Sequence, residues 1–152
     1  MGVRIRDRLE CHASDTEHLA VTDISGGYGI LTLIGPSADD LHGTVTEGVL
    51  SEVEFPEMTA REFPIGPATA LALRRSTADL PAWELLIPSD TAVAAYEAVC
   101  RAGKSLDLRH AGAYMSESLR LENGTPSWGR DVSRLETPFE TGLDALVQPD
   151  KQ

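Results

Sequence analysis

The residues whose types and spacing could do chemistry gather late in this chain. Ser118-Leu119-Arg120-Leu121-Glu122-Asn123-Gly124 is followed by Trp128-Gly129-Arg130-Asp131 and by Thr137-Pro138. The planar fork of Arg120 suits bidentate pairing with a carboxylate. On the residues alone, it pairs with Glu117 or Asp131 and stitches a helix to the loop after it. Trp128 to Asp131 reads as a structural turn with Trp128 packed over a sheet. His110, just before a predicted helix, has either the role of a general base or the commoner one of a capping or surface histidine. Tyr114 reads as a core residue with its hydroxyl at the rim, and Trp83 as core.

Other candidates are weaker. Glu47, Glu52, Glu54 and Glu57 alternate with small and apolar residues, the pattern of a solvated face. As paired catalytic carboxylates they would need a separation that spacing does not supply. Gly26-Gly27-Tyr28-Gly29 is too short for a phosphate loop and lacks the following lysine, so it is a turn. His42 is expected to end a short helix beside Gly43, where a positive ring suits the dipole. The four histidines are scattered, and Cys11 and Cys100 lack metal-type spacing, so no metal site is assigned. Both cysteines read as free thiols of a reducing cytoplasm.

These groups need a scaffold, and 152 residues suffice for one ordinary domain with a real core. Hydrophobic residues make up 41% and charged residues 24%, the balance of a globular protein. A formal charge of −11 argues against nucleic acid and against an anionic membrane surface. No apolar run reaches transmembrane length, and Arg4, Arg6 and Arg8 are not followed by the apolar stretch of a signal peptide.

Residues 1–18 form a polar lead-in or short helix, 19–147 a single domain and 148–152 a polar tail. Tyr28 to Ile34 is a predicted strand between Gly26-Gly27 and Gly35-Pro36. Ser37 should cap a short helix from Ala38 to about His42, with Asp39 and Asp40 in its first turn. Ala60 to Pro64 and Ala68 to Arg74 predict a hairpin across Ile65-Gly66-Pro67. Trp83 to Ile87 predicts a strand stopped by Pro88. A helix then runs to Arg101 with Val93, Tyr96, Val99 and Cys100 inward, ended by Gly103 as C-cap. Another helix is expected from about His110 to Leu121, then a turn or short strand at Leu143 to Val147. This order predicts an α+β sandwich of the split βαβ (ferredoxin-like) type, mainly antiparallel, with helices on one face.

Several short motifs recur in one order: Val21-Thr22-Asp23-Ile24-Ser25, Gly35-Pro36, Phe55-Pro56, Arg74 to Leu85 ending Trp83-Glu84-Leu85, Ala102-Gly103, Gly112, and Leu119-Arg120-Leu121-Glu122. Together, from about Leu19 to Val147, they resemble the folate-binding aminomethyltransferase family. That family includes the glycine-cleavage T-protein and the C-terminal halves of dimethylglycine and sarcosine dehydrogenases. The resemblance implies a tetrahydrofolate site in a channel shared by three domains, where a one-carbon unit passes from an amine to a folate nitrogen. A buried carboxylate would bind the pterin donor edge, and an arginine the folate carbonyl or glutamate tail. Carried onto this chain, the cofactor-binding candidates are Arg120, Glu122, Asp79, Trp83 and Tyr114, and no catalytic residue is assigned.

The chain departs from the family where the pterin would sit. The family's glutamate falls on Leu80, with Asp79 and Ala82 at the flanking glycines. Leu80 accepts no hydrogen bond, so each stranded pterin donor would cost about 1–3 kcal/mol. Asp79 could substitute on a one-residue slip, and Pro81 stiffens the segment. The family's catalytic aspartate lies in a preceding domain, and a C-terminal barrel closes its channel. Either a partner supplies both or the site is not a folate site, and a homo-oligomer, or a hetero-oligomer with an oxidoreductase or a missing-domain partner, is expected. Three functions follow: a folate-type module in one-carbon transfer or amine demethylation within an assembly, a non-catalytic subunit of a heteromeric oxidoreductase, or a stand-alone enzyme reusing the scaffold without folate.

Overall fold

Glycine and proline punctuation divides the chain into strands and helices close to the expected ones. The computed structural model describes residues 2–14, 18–46, 55–77 and 80–148. Its strands are β1 (Tyr28–Ile34), β2 (Ala60–Ile65), β3 (Ala68–Thr77) and β4 (Leu80–Pro88). Its longer helices are α1 (Gly2–His12), α2 (Ala38–Val45), α3 (Ala92–Gly103) and α4 (Ala113–Glu122). The strands form one sheet in the order β1-β4-β3-β2, with every neighbouring pair antiparallel. The α+β architecture with an antiparallel sheet is therefore as expected.

The β2–β3 hairpin turns at Gly66, whose φ of 59° suits glycine, and brings Ile65 opposite Ala68. Pro64 lies on β2, the sheet edge far from β1, where its missing N–H is tolerated. Leu80 is not in a loop: it opens β4 and pairs with Thr77. Asp79 lies outside the described residues, as do Glu47, Glu52 and Glu54, while Glu57 is exposed.

Strand alternation sends Leu33, Trp83, Leu85, Ile87, Ala70, Ala72 and Ile65 to one face, where they meet Ala38 and Leu41 of α2 and Ala95 and Val99 of α3. Phe55, fully buried, joins that core. The opposite face carries Ile30 of β1, which is 63% exposed, beside half-buried Leu71, Leu73 and Leu86. Among the described residues, these apolar side chains remain partly open to solvent, beside the Arg75–Glu84 ion pair on the same face.

α3 packs by Val99, as expected, and otherwise by its small residues and not by Val93 or Tyr96. Ala95 and Val99 are buried, whereas Val93 is exposed and Tyr96 is mostly at the surface. Close approach to the sheet explains the preference. A Cβ on Gly29 would stand 3.3 Å from the Ala92 Cβ, and one on Gly66 would stand 3.5 Å from the Ala98 Cβ. Gly103 ends α3 in right-handed conformation (φ −72°), not as a left-handed cap. Its value is space: a Cβ there would lie 2.5 Å from Leu108 Cδ2. The left-handed residue is Asp107, with φ 55°.

α1 gives the polar lead-in a helical form, with Val3, Ile5 and Leu9 exposed. Ser37 stands at the N-cap of α2 but makes no capping side-chain bond. Leu143 to Val147 forms a single short turn, Asp144–Leu146. No helix among the described residues is long and apolar enough to cross a membrane.

Candidate functional site

Two polar clusters stand out among the described residues, one under α2 and one at the end of α4. The α2 cluster begins with Asp39, in the first turn. Its carboxylate accepts the Trp83 indole N–H at 2.7 Å and an Arg74 N–H at 3.1 Å. Arg74 also donates to the Phe55 carbonyl at 2.8 Å and lies over the Trp83 ring at 5.7 Å. One α2 carboxylate therefore satisfies the polar ends of two strand residues, tying the helix to β3 and β4.

His42, one turn further along α2, is buried, and its ring lies flat against Trp83. Phe63 meets the imidazole edge-on at 5.1 Å. Burial pushes the His42 pKa down to about 4, against a smaller upward pull from Asp39 and with a smaller downward push from Arg74. The ring is therefore neutral at pH 7. This corrects the reading of His42 as a charged residue at a helix end: α2 continues to Val45, and the Thr46 N–H and hydroxyl both bond to the His42 carbonyl. Its Nε2 is buried with no hydrogen-bond partner among the described residues.

The α4 cluster centres on Arg120, whose guanidinium donates to Glu117 at 3.0 Å, to Asp131 and to the Thr125 carbonyl at 2.7 Å. Arg130 reaches the same Glu117 oxygen at 2.6 Å. Asp131 also accepts the Ser127 N–H at 2.8 Å. The Glu117 carboxyl is held below its usual range, first by its hydrogen bond with Arg120. Asp131 is held low first by the Ser127 N–H and then by Arg120. Arg120 takes both carboxylates that the sequence offered it and closes the Asn123–Ser127 connection onto α4.

The other expected cofactor residues sit in unlike places. Trp83 is 2% exposed, with its N–H given to Asp39 and a ring face covered by His42, so it belongs to the core and presents no free face to a cofactor. Tyr114 is 93% exposed, which corrects its placement in the core: no residue of α4 is buried. Glu122 is exposed at the last residue of α4. Trp128 is mostly exposed and does not lie over the sheet; it bridges to Val132 and lines a cleft with Ile5 and Leu9 of α1. His110 is exposed and meets Tyr96 and Cys100. No signal in the sequence pointed to that meeting, because it joins α3 to a segment ten residues away.

A pterin donor edge needs a carboxylate acceptor. At the matching position stands Leu80, a strand residue with no acceptor, and the Arg120 fork is filled by its own carboxylates.

A family model described as the GCVT N-terminal domain matches residues 2–151. The chain is similar to the mitochondrial pyruvate dehydrogenase phosphatase regulatory subunit of Mus musculus, 31% identical over 88% of this chain and 15% of that protein. It is similar to the mitochondrial dimethylglycine dehydrogenase of Homo sapiens, 28% identical over 86% of this chain and 15% of that protein. The aminomethyltransferase of Caldanaerobacter subterraneus subsp. tengcongensis is also 28% identical, over 86% of this chain and 35% of the enzyme. The chain thus spans between 15% and 35% of the length of these relatives. With an antiparallel α+β sheet and a match along nearly its whole length, this chain belongs to the GCVT N-terminal domain family, the T-protein-like domains of aminomethyltransferases.

Proposed function

We propose that this chain is an aminomethyltransferase-type module that serves one-carbon transfer or amine demethylation within a larger assembly, supplying scaffold and wall while the reacting groups come from elsewhere. The observation that carries this reading is the internal commitment of Arg120 to Glu117, Asp131 and the Thr125 carbonyl. Leu80 at the head of β4 supports it, since a side chain without an acceptor suits a wall better than a pterin clamp. The open sheet face around Ile30, Leu71, Leu73 and Leu86 supports an assembly, because water is a poor neighbour for contiguous apolar surface. Relatives named aminomethyltransferase and dimethylglycine dehydrogenase support the one-carbon side. The free thiols of Cys11 and Cys100 support a reducing, cytoplasmic setting.

A second reading, a non-catalytic subunit of a heteromeric enzyme, is favoured by the similarity to a protein named as a regulatory subunit. Calorimetric titration of tetrahydrofolate into the purified chain tests the proposal. No binding up to the solubility limit, together with a co-purifying oxidoreductase, is the expected result. Micromolar binding that disappears in Arg120→Ala would show that the chain holds folate itself and would overturn the scaffold role.

A further inference from the structure

After α3 the chain passes back towards β1, and a groove of about 990 Å³ opens between them. Its walls are mostly apolar, with Ile30, Leu33, Val99 and Leu108 among them, and Cys100 stands in the lining. Cys100 has company there. Tyr96, one turn earlier on α3, brings its hydroxyl within 2.6 Å of His110 Nε2, and Cys100 Sγ is 3.8 Å from the same nitrogen. Three groups able to share protons thus converge on one wall of an apolar groove.

Their placement is anchored. Leu108 fills the space left by the missing side chain of Gly103, and its N–H donates to the Gly103 carbonyl at 3.0 Å. That contact fixes the segment two residues before His110. The chemistry of the trio follows from elementary acidities. A thiol becomes a strong nucleophile on losing its proton, and an imidazole within reach is the side chain best matched to take it near neutral pH. The resulting imidazolium Nε2–H then faces the thiolate and the Tyr96 hydroxyl oxygen. The Tyr96 phenol is held above its ordinary pKa, first by hydrogen bonding with Cys100, so it stays a donor.

The groove also selects by charge. Arg109, in its lining, is paired with Asp107 at 2.8 Å, and the chain carries a formal charge of −11. An anionic reagent gains nothing on approach, whereas a neutral one meets apolar walls.

We propose that Cys100, His110 and Tyr96 form a nucleophilic thiol site that adds to small, neutral α,β-unsaturated carbonyl compounds. His110 Nε2 takes the thiol proton, and Sγ forms a bond to the β-carbon. The electron pair of the carbon–carbon π bond moves onto the α-carbon and its carbonyl, and the α-carbon then takes the proton back from His110. The product is a thioether, the imidazole is restored, and no oxidant or reductant is consumed. Cys100, His110 and Tyr96 carry no part of the folate-type reading, so the thiol site stands or falls separately.

N-ethylmaleimide is the probe, and the exposed Cys11 of α1 is the reference thiol in the same sample. Peptide mass spectrometry over time near neutral pH is expected to show Cys100 modified about tenfold faster than Cys11. His110→Ala is expected to bring Cys100 down to the rate of Cys11 without changing Cys11 itself, and Tyr96→Phe to slow Cys100 by a smaller factor. His110→Gln, closer in size, repeats the test if the alanine variant loses its circular dichroism spectrum. Cys100 reacting no faster than Cys11 in the unaltered chain, or unaffected by both His110 substitutions, would overturn the proposal.

Discussion

The His42 imidazole lies on the Trp83 indole with ring centroids 3.7 Å apart and planes 6° from parallel. This stack sits where α2 meets β4, so the protonation of one ring is coupled to the packing of the layer. An unfolded imidazole takes a proton near pH 6.5, whereas the folded one resists until about 4 because burial penalises its charge. The unfolded state therefore binds more protons between those values. Stability from this residue is constant above pH 6.5, falls as the pH drops towards 4 and levels off below. The full loss is about 3 kcal/mol. Urea midpoints across that window should show the decline, and His42→Phe, which keeps a stackable ring without the buried nitrogen, should flatten it. An unaltered chain whose midpoint does not fall would refute the coupling.

Asp39 holds two partners, and the cost of its loss falls mainly on one. Arg74 keeps the Phe55 carbonyl and some access to water, but the Trp83 N–H is deeply buried. Asp39→Ala should lower stability by about 2 kcal/mol, most of it for the stranded indole donor. Asp39→Asn, which keeps an acceptor at the same reach, should recover part of the loss. Thermal melts of both variants at neutral pH provide the comparison.

Gly103→Ala should be destabilising even though alanine is the better helix former. The new methyl group would meet Leu108 at 2.5–2.6 Å and drive it from its seat. A cost of about 1–3 kcal/mol is expected, typical of overpacking. Hydrogen exchange should speed at the Leu108 amide, which donates to Gly103. Unchanged protection there would mean that the segment is anchored by other contacts.

The Arg120 cluster should respond to pH in the same direction as His42 but lower on the scale. Glu117 and Asp131 have folded pKa values below their ordinary ones. Their contribution is present above the unfolded carboxylate range and is lost as pH falls through the lower, folded values. Exposed pairs are screened by water and salt, so the effect is local and not global. Limited proteolysis should find the Asn123–Ser127 connection more open in Arg120→Ala, with the sheet intact. Cleavage unchanged by that substitution would argue against the stitching role.

Much of this fold was legible in the sequence because strands are written in short, self-contained signals. Tyr28 to Ile34 and the Ile65-Gly66-Pro67 hairpin declare themselves through alternation and turn residues. The stitching of Arg120 was legible for the same reason: its partners lie 3 and 11 residues away, on the same helix and in the next turn. What failed depended on distant packing. The alanine side of α3 packs close because Gly29 and Gly66 admit Ala92 and Ala98, which no reading of α3 alone reveals. His42 looked like a terminal residue because Gly43 follows it, yet tertiary burial carried α2 one turn further. Tyr114 looked like core because aromatic residues usually are, but α4 buries none of its residues.

The two rims of the sheet are unequal. β2 carries Pro64, which offers no N–H to a neighbour, along with the charged Arg61 and Glu62, whereas β1 presents Tyr28-Gly29-Ile30-Leu31-Thr32-Leu33-Ile34 without a proline or a charge. Strand addition is therefore possible on one rim and blocked on the other. Two copies joined rim to rim through β1 would make a closed, two-fold pair with Pro64 at both outer ends. On these rims, sheet extension through β1 would end at two copies.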